Sequence, residues 1–153
     1  MTEPYDSTAD TEAHIKRVQE LLYEVCVNLN ERSLNHDLSK FHPPEKEIFD
    51  KVTPRLKGLT YGSEEYNAQI KELGVALEHH YANNPHHPEH YSDGIMGMSL
   101  LDIVEMFADW KAATERHADG DLMRSIGINR ERFSYGAVLE SIFENTAHEL
   151  RWK

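Results

Sequence analysis

Apolar residues recur every three or four positions over most of the chain, and no stretch alternates with period two. This is the signature of amphipathic helices rather than strands. Ile15, Val18, Leu22, Val25 and Leu29 define the first such stripe. With Asp10 as N-cap, it predicts a helix over about 11–32. A short break and the segment 35–41 follow; His42-Pro43-Pro44 then starts a second helix over about 44–52, because proline is tolerated in a first turn. Ser63, Glu64 and Glu65 start a third, reaching Tyr81 or Ala82. A Pro/His/Asn-rich connection over 83–97 follows. Ser99 begins a fourth helix to about His117, Gly120 and Gly127 bracket a short helical turn, and a last helix covers about 135–150. The expected fold is all-α: a single helical bundle of about five to six helices over 11–153, preceded by a flexible tail at 1–10.

Composition narrows the function classes. The 153 residues carry a formal charge of −11. Phosphate neutralisation needs clustered Lys and Arg, so an extended nucleic-acid partner is not expected. No apolar run approaches the ~18 residues that a membrane span requires, and the polar start does not read as a signal peptide. Cys26 is the only cysteine, which fits a reducing cytoplasm and, within the helical stripe, a buried structural thiol. Trp110, Phe143 and Trp152 are candidates to face a partner helix in a homodimer.

Ten histidines change the picture. His36-Asp37, in Leu34-Asn35-His36-Asp37-Leu38-Ser39-Lys40, offers an imidazole nitrogen and a carboxylate oxygen to one cation. That mixed pair suits a divalent transition metal better than calcium. His14 borders the apolar stripe of the first helix. Ile70, Leu73, Leu77 and His80 step by three or four, so His80 continues a buried stripe and is the preferred ligand, whereas His79 points elsewhere. His86, His87 and His90 lie on a connection stiffened by Pro85 and Pro88; any of them could serve a second metal. Asp102, Glu105 and Asp109 share one face of the fourth helix, with Arg116 two turns beyond Asp109. Asp109 stands among Met106, Phe107, Ala108 and Trp110, where a buried carboxylate is costly unless paired or bound to metal. Lys40, three residues after Asp37, is placed to meet a phosphate oxygen.

The order His14, His36-Asp37 with Lys40, downstream histidines and Ala108-Asp109 resembles the HD-domain superfamily of metal-dependent phosphohydrolases. More narrowly, about 11–149 resembles a family of small bacterial and phage proteins of unassigned function. That likeness includes Glu78-His79-His80-Tyr81, Asn84-Pro85-His86-His87-Pro88-Glu89-His90 and Glu105-Met106-Phe107-Ala108-Asp109-Trp110. The superfamily resemblance implies an HD-type bundle in which His14, His36, Asp37 and Asp109 bind one metal. His80 and His87 are the candidates for a second. Lys40 departs from the glutamate that deoxynucleoside monophosphatases of the superfamily often carry there, and fits its larger phosphohydrolase and phosphodiesterase group instead.

The expected activity is hydrolysis of a small phosphorylated substrate, a nucleotide above all, with one or two ions of Mn, Fe, Co, Ni or Zn. Asp37 would orient the water, Lys40 and Arg116 would stabilise phosphoryl charge, and Glu105 or a loop histidine would protonate the leaving group. Two alternatives stand beside it: a non-catalytic metal-stabilised binding module, and a di-iron oxygenase of the HD fold.

Overall fold

The computed structural model describes residues 5–56, 58–60, 63–116 and 119–152. Among them every regular element is helical. The chain divides into two compact units, Met1–Asn35 and His36–Lys153.

The first unit is built on one long helix, α1 (Thr8–Asn35). It begins three residues before the expected start and ends three beyond the expected end. No residue of α1 is buried. Its stripe of Ile15, Val18, Leu22 and Val25 is exposed, and so is Cys26, which corrects the expectation of a buried thiol. The reason is local: among its described residues this unit contains no second element to cover the stripe.

The second unit opens with a 3₁₀ turn (Leu38–Phe41) and α2 (Glu45–Leu56). α2 runs past the expected end at Val52 and carries Pro54 in its last turn; Pro54 cannot donate to the Asp50 carbonyl, and the helix ends two residues later. The expected third helix is two: α3 (Glu64–Glu72), capped by Ser63, and α4 (Gly74–Asn83). They meet at Leu73, which is buried and precedes Gly74, a residue that weakens helix continuation. α2, α4 and the 3₁₀ turn pack together.

Two further 3₁₀ turns (Pro88–His90 and Gly94–Gly97) lead to α5 (Leu100–Thr114). Its start is a capping box: Ser99 accepts from the Asp102 amide, and the Asp102 carboxylate accepts from the Ser99 amide, so two otherwise orphaned donors are satisfied. Asp102 also accepts from the Tyr91 hydroxyl at 2.9 Å. α6 (Leu122–Phe133) is a full helix where only a short turn was expected. Asp121 caps it, and Leu122, Ile126 and Asn129 form its buried stripe. Gly127 lies on the exposed side, where its helix penalty of about 1 kcal/mol is tolerated. α7 (Ala137–Glu149) closes the unit.

The core gathers Met106, Phe107 and Trp110 of α5, Leu122 and Ile126 of α6, Tyr135, and Phe143 and Ala147 of α7. Phe107 stacks on Phe143 with centroids 4.7 Å apart, and Trp110 meets Phe143 edge-on at 5.4 Å. Trp110 and Phe143 are therefore spent inside the unit, with Trp152 packed against the same cluster; this corrects their reading as a face for a partner helix. These contacts fix the rotation of α5, and with it the side on which Glu105 and Asp109 stand.

Asp102→Ala removes a cap and leaves the Tyr91 hydroxyl without its acceptor. It is expected to lower stability by roughly 1–3 kcal/mol, read as a lower urea midpoint at unchanged slope; an unchanged midpoint would contradict this role.

Candidate metal centre

Four segments of the second unit converge on Asp37. The residue sits between α1 and the first 3₁₀ turn with φ of 59°, a left-handed conformation that aspartate tolerates better than most residues. Its Oδ1 faces His80 Nε2 at 3.3 Å and His86 Nε2 at 3.5 Å. Its Oδ2 faces Lys40 Nζ at 2.5 Å and His36 Nε2 at 3.5 Å. His80 Nε2 also lies 2.9 Å from His87 Nε2. On the far side, Asp109 Oδ1 stands 3.7 Å from His36 Nε2.

Among the described residues, three groupings have ligand atoms within 4.8 Å of one another: Asp37, His80, His86 and His87; His36, Asp37 and Asp109; and His36, His86 and Glu105. Donors bound to one cation at ~2.1 Å lie roughly 3.0–3.4 Å apart in octahedral to tetrahedral geometry, close to the separations around Asp37 Oδ1. Two atoms there, Asp37 Oδ1 and His86 Nε2, are buried with no hydrogen-bond partner. Orphaned buried polar atoms are rare, and a cation would satisfy both. The residues fit a divalent metal.

Carboxylates behind the ring orient the imidazoles. Glu105 Oε1 lies 2.9 Å from His36 Nδ1 and 3.2 Å from His86 Nδ1, which turns both Nε2 atoms toward Asp37. Glu45, fully buried, reaches His79 Nδ1 at 2.7 Å and His80 Nδ1 at 2.9 Å. Ser39 and Asn84 complete that network.

Protonation follows from these contacts. Burial lowers His80, His86 and His87; the neighbouring Lys40 charge adds to it for His80, and neighbouring imidazoles add to it for the other two. All three are neutral at pH 7 and hold lone pairs. Burial would raise Asp37 and Asp109, but Lys40 beside the first and His36 beside the second outweigh it, so both stay below the ordinary carboxylate range. His36 is the exception: the Asp109 carboxylate, against the opposing effect of burial and with help from Glu105 and Asp37, raises it to about 9.

The expected site residues are placed as follows. His36, Asp37, His80, His87 and Asp109 come together, with Lys40 and Glu105 beside them. His14 lies exposed on α1 in the first unit, outside the three groupings. α5 ends at Thr114, so Arg116 lies beyond its C-cap and is exposed; it does not continue the acidic face, which corrects that reading. Of the three acids on that face, Asp102 is used in the cap. His90 bonds the Tyr81 carbonyl outside the cluster.

Two residues were missed. His86, 1% exposed, was one of three equivalent loop histidines in the sequence, although its place between Pro85 and His87 was a usable signal. Glu45 carried no signal, since Glu45-Lys46-Glu47 reads as a solvated first turn.

A profile described as a family of unknown function, DUF5662, matches residues 3–151. The chain belongs to the DUF5662 family. The match spans both units and the whole cluster, and the family's description carries no activity. No curated protein and no solved structure matches the chain significantly.

His36 in the metal-free protein is expected to titrate near pH 9, and Asp109→Asn should return its midpoint toward the ordinary 6.5. Because the folded value is raised, the stability His36 contributes is fully present below about pH 6.5 and is lost as pH rises through about 9. NMR titration of the ring carbons reads the midpoint; a wild-type value near 6.5 would contradict the assignment.

Proposed function

We propose that this protein is a metal-dependent phosphohydrolase of the HD-domain type, acting on a small phosphate ester or anhydride such as a nucleotide. The observation that carries the reading is the grouping of His80, His86 and His87, all neutral, with Asp37, whose Oδ1 is buried and unpartnered along with His86 Nε2. The order of His36-Asp37, Lys40 and Ala108-Asp109 supports it independently.

His80, His86 and His87 with Asp37 would hold one divalent ion; His36 and Asp109, again with Asp37, would hold a second. Nitrogen-rich ligation favours Mn, Fe, Co, Ni or Zn over magnesium or calcium. A cation so bound supplies an activated water and polarises a phosphoryl oxygen. Asp37 presents one oxygen to each grouping and so sets their separation. Lys40, held against Asp37 Oδ2 and still part-exposed, is placed to balance phosphoryl charge as the transition state develops. Glu105 serves better as the acceptor that orients His36 and His86 than as a leaving-group acid, because its Oε1 faces both rings. His36 must lose its proton to bind a cation, so affinity rises with pH up to about 9.

Asp37→Asn retains a side chain suited to left-handed backbone, and so separates chemistry from folding. It and His36→Ala are expected to keep the helical circular dichroism, retain less than a tenth of the wild-type metal and lose at least 100-fold in turnover. Metal analysis coupled to a panel of nucleotides and simple phosphate esters reads this. Undiminished hydrolysis by metal-free Asp37→Asn would overturn the reading; metal retention without hydrolysis of any ester or anhydride would point to a non-catalytic metal-stabilised module.

A further inference from the structure

We infer that Glu45 is a positioning residue that fixes the His80 ring in the tautomer able to bind a cation; the inference rests on the metal-site reading above. Glu45 begins α2, away from the cluster in sequence, yet it is fully buried. A carboxylate so placed must be paired or carry a large desolvation penalty. Three groups of the second unit meet it: His79 Nδ1 at 2.7 Å on Oε1, and His80 Nδ1 at 2.9 Å and the Ser39 hydroxyl at 3.0 Å on Oε2.

Counting hydrogens fixes the direction of these bonds. Asn84 has two amide hydrogens, and the His80 carbonyl at 2.7 Å and Ser39 Oγ at 2.8 Å take both. Its approach to His80 Nδ1 at 3.0 Å then carries no hydrogen. The Ser39 hydroxyl, having accepted from Asn84, donates to Glu45 at 3.0 Å rather than to the more distant His80 Nδ1 at 3.4 Å. Only the Nδ1–H tautomer of His80 completes the set, because the carboxylate can accept and cannot donate.

His80 Nε2 is therefore unprotonated, its lone pair directed to the space beside Asp37 Oδ1 and His87 Nε2. In the metal-free protein His87 donates to it. The arrangement is the carboxylate–histidine device that orients metal ligands and raises their basicity. His79, about two-fifths exposed, is the second ring on the same carboxylate and closes the network toward solvent.

The test compares wild type with Glu45→Gln, whose amide accepts at one end only. Two-bond ¹⁵N–¹H spectra of metal-free protein are expected to show His80 protonated at Nδ1 in wild type and shifted toward Nε2–H in the variant. Cobalt(II) affinity is expected to fall about 10–100-fold, with Asp102→Ala as a control that destabilises the fold without this change. An Nε2–H tautomer of His80 in wild type overturns the inference even if the variant does not fold. An unchanged tautomer and cobalt(II) affinity within twofold in a folded variant overturn it too. Wild type that takes up no cobalt(II) defeats the metal-site reading instead, while the tautomer still reports on Glu45.

Discussion

Removing carboxylates from water is the constraint around which the second unit is organised. Glu45 is fully buried, and Asp37, Glu105 and Asp109 are largely shielded from solvent. Each ion out of water costs several kcal/mol unless its charge is answered. Here the answer is imidazole N–H groups, one hydroxyl and the Lys40 ammonium. The same contacts that make the acids tolerable hold the rings still, so stabilisation and orientation are one arrangement.

The scaffold supplies the geometry in two halves. α5 is clamped by the aromatic core, where Phe107 and Trp110 lock against Phe143, and its opposite side carries Glu105 and Asp109. α2, α4 and the 3₁₀ turn pack together and carry Glu45, His80 and Lys40. Asp37 and the His86-His87 loop lie between these halves. The elements that carry the clustered side chains are thus tied to packed helices, and the loop is stiffened by Pro85 and Pro88. A cation bound in such a cluster would meet donors already held in place.

Helix α1 presents a different problem. Its apolar stripe is well formed in sequence, yet no residue of it is buried. Periodicity reports that a helix has an apolar face; it contains no information on what meets that face. The same limit explains α6, where a stripe of Leu122, Ile126 and Asn129 continued through Gly127. A single glycine is too weak a breaker, at about 1 kcal/mol, to stop a helix whose buried face is worth more.

The sequence by itself determined the all-helical class, because a 3.6-residue period in side-chain polarity is a local property of the chain. It also determined the chemistry on offer, since His36-Asp37, His80, the loop histidines and Asp109 are metal-ligand types wherever they lie. Tertiary structure decided which of them meet. His86 rather than His90 enters the cluster, Asp102 caps a helix, and Arg116 lies beyond the end of α5. Glu45, which reads as a surface residue, becomes the buried acceptor behind His80. Those outcomes depend on crossing positions of helices far apart in the chain, and no local pattern encodes such distances.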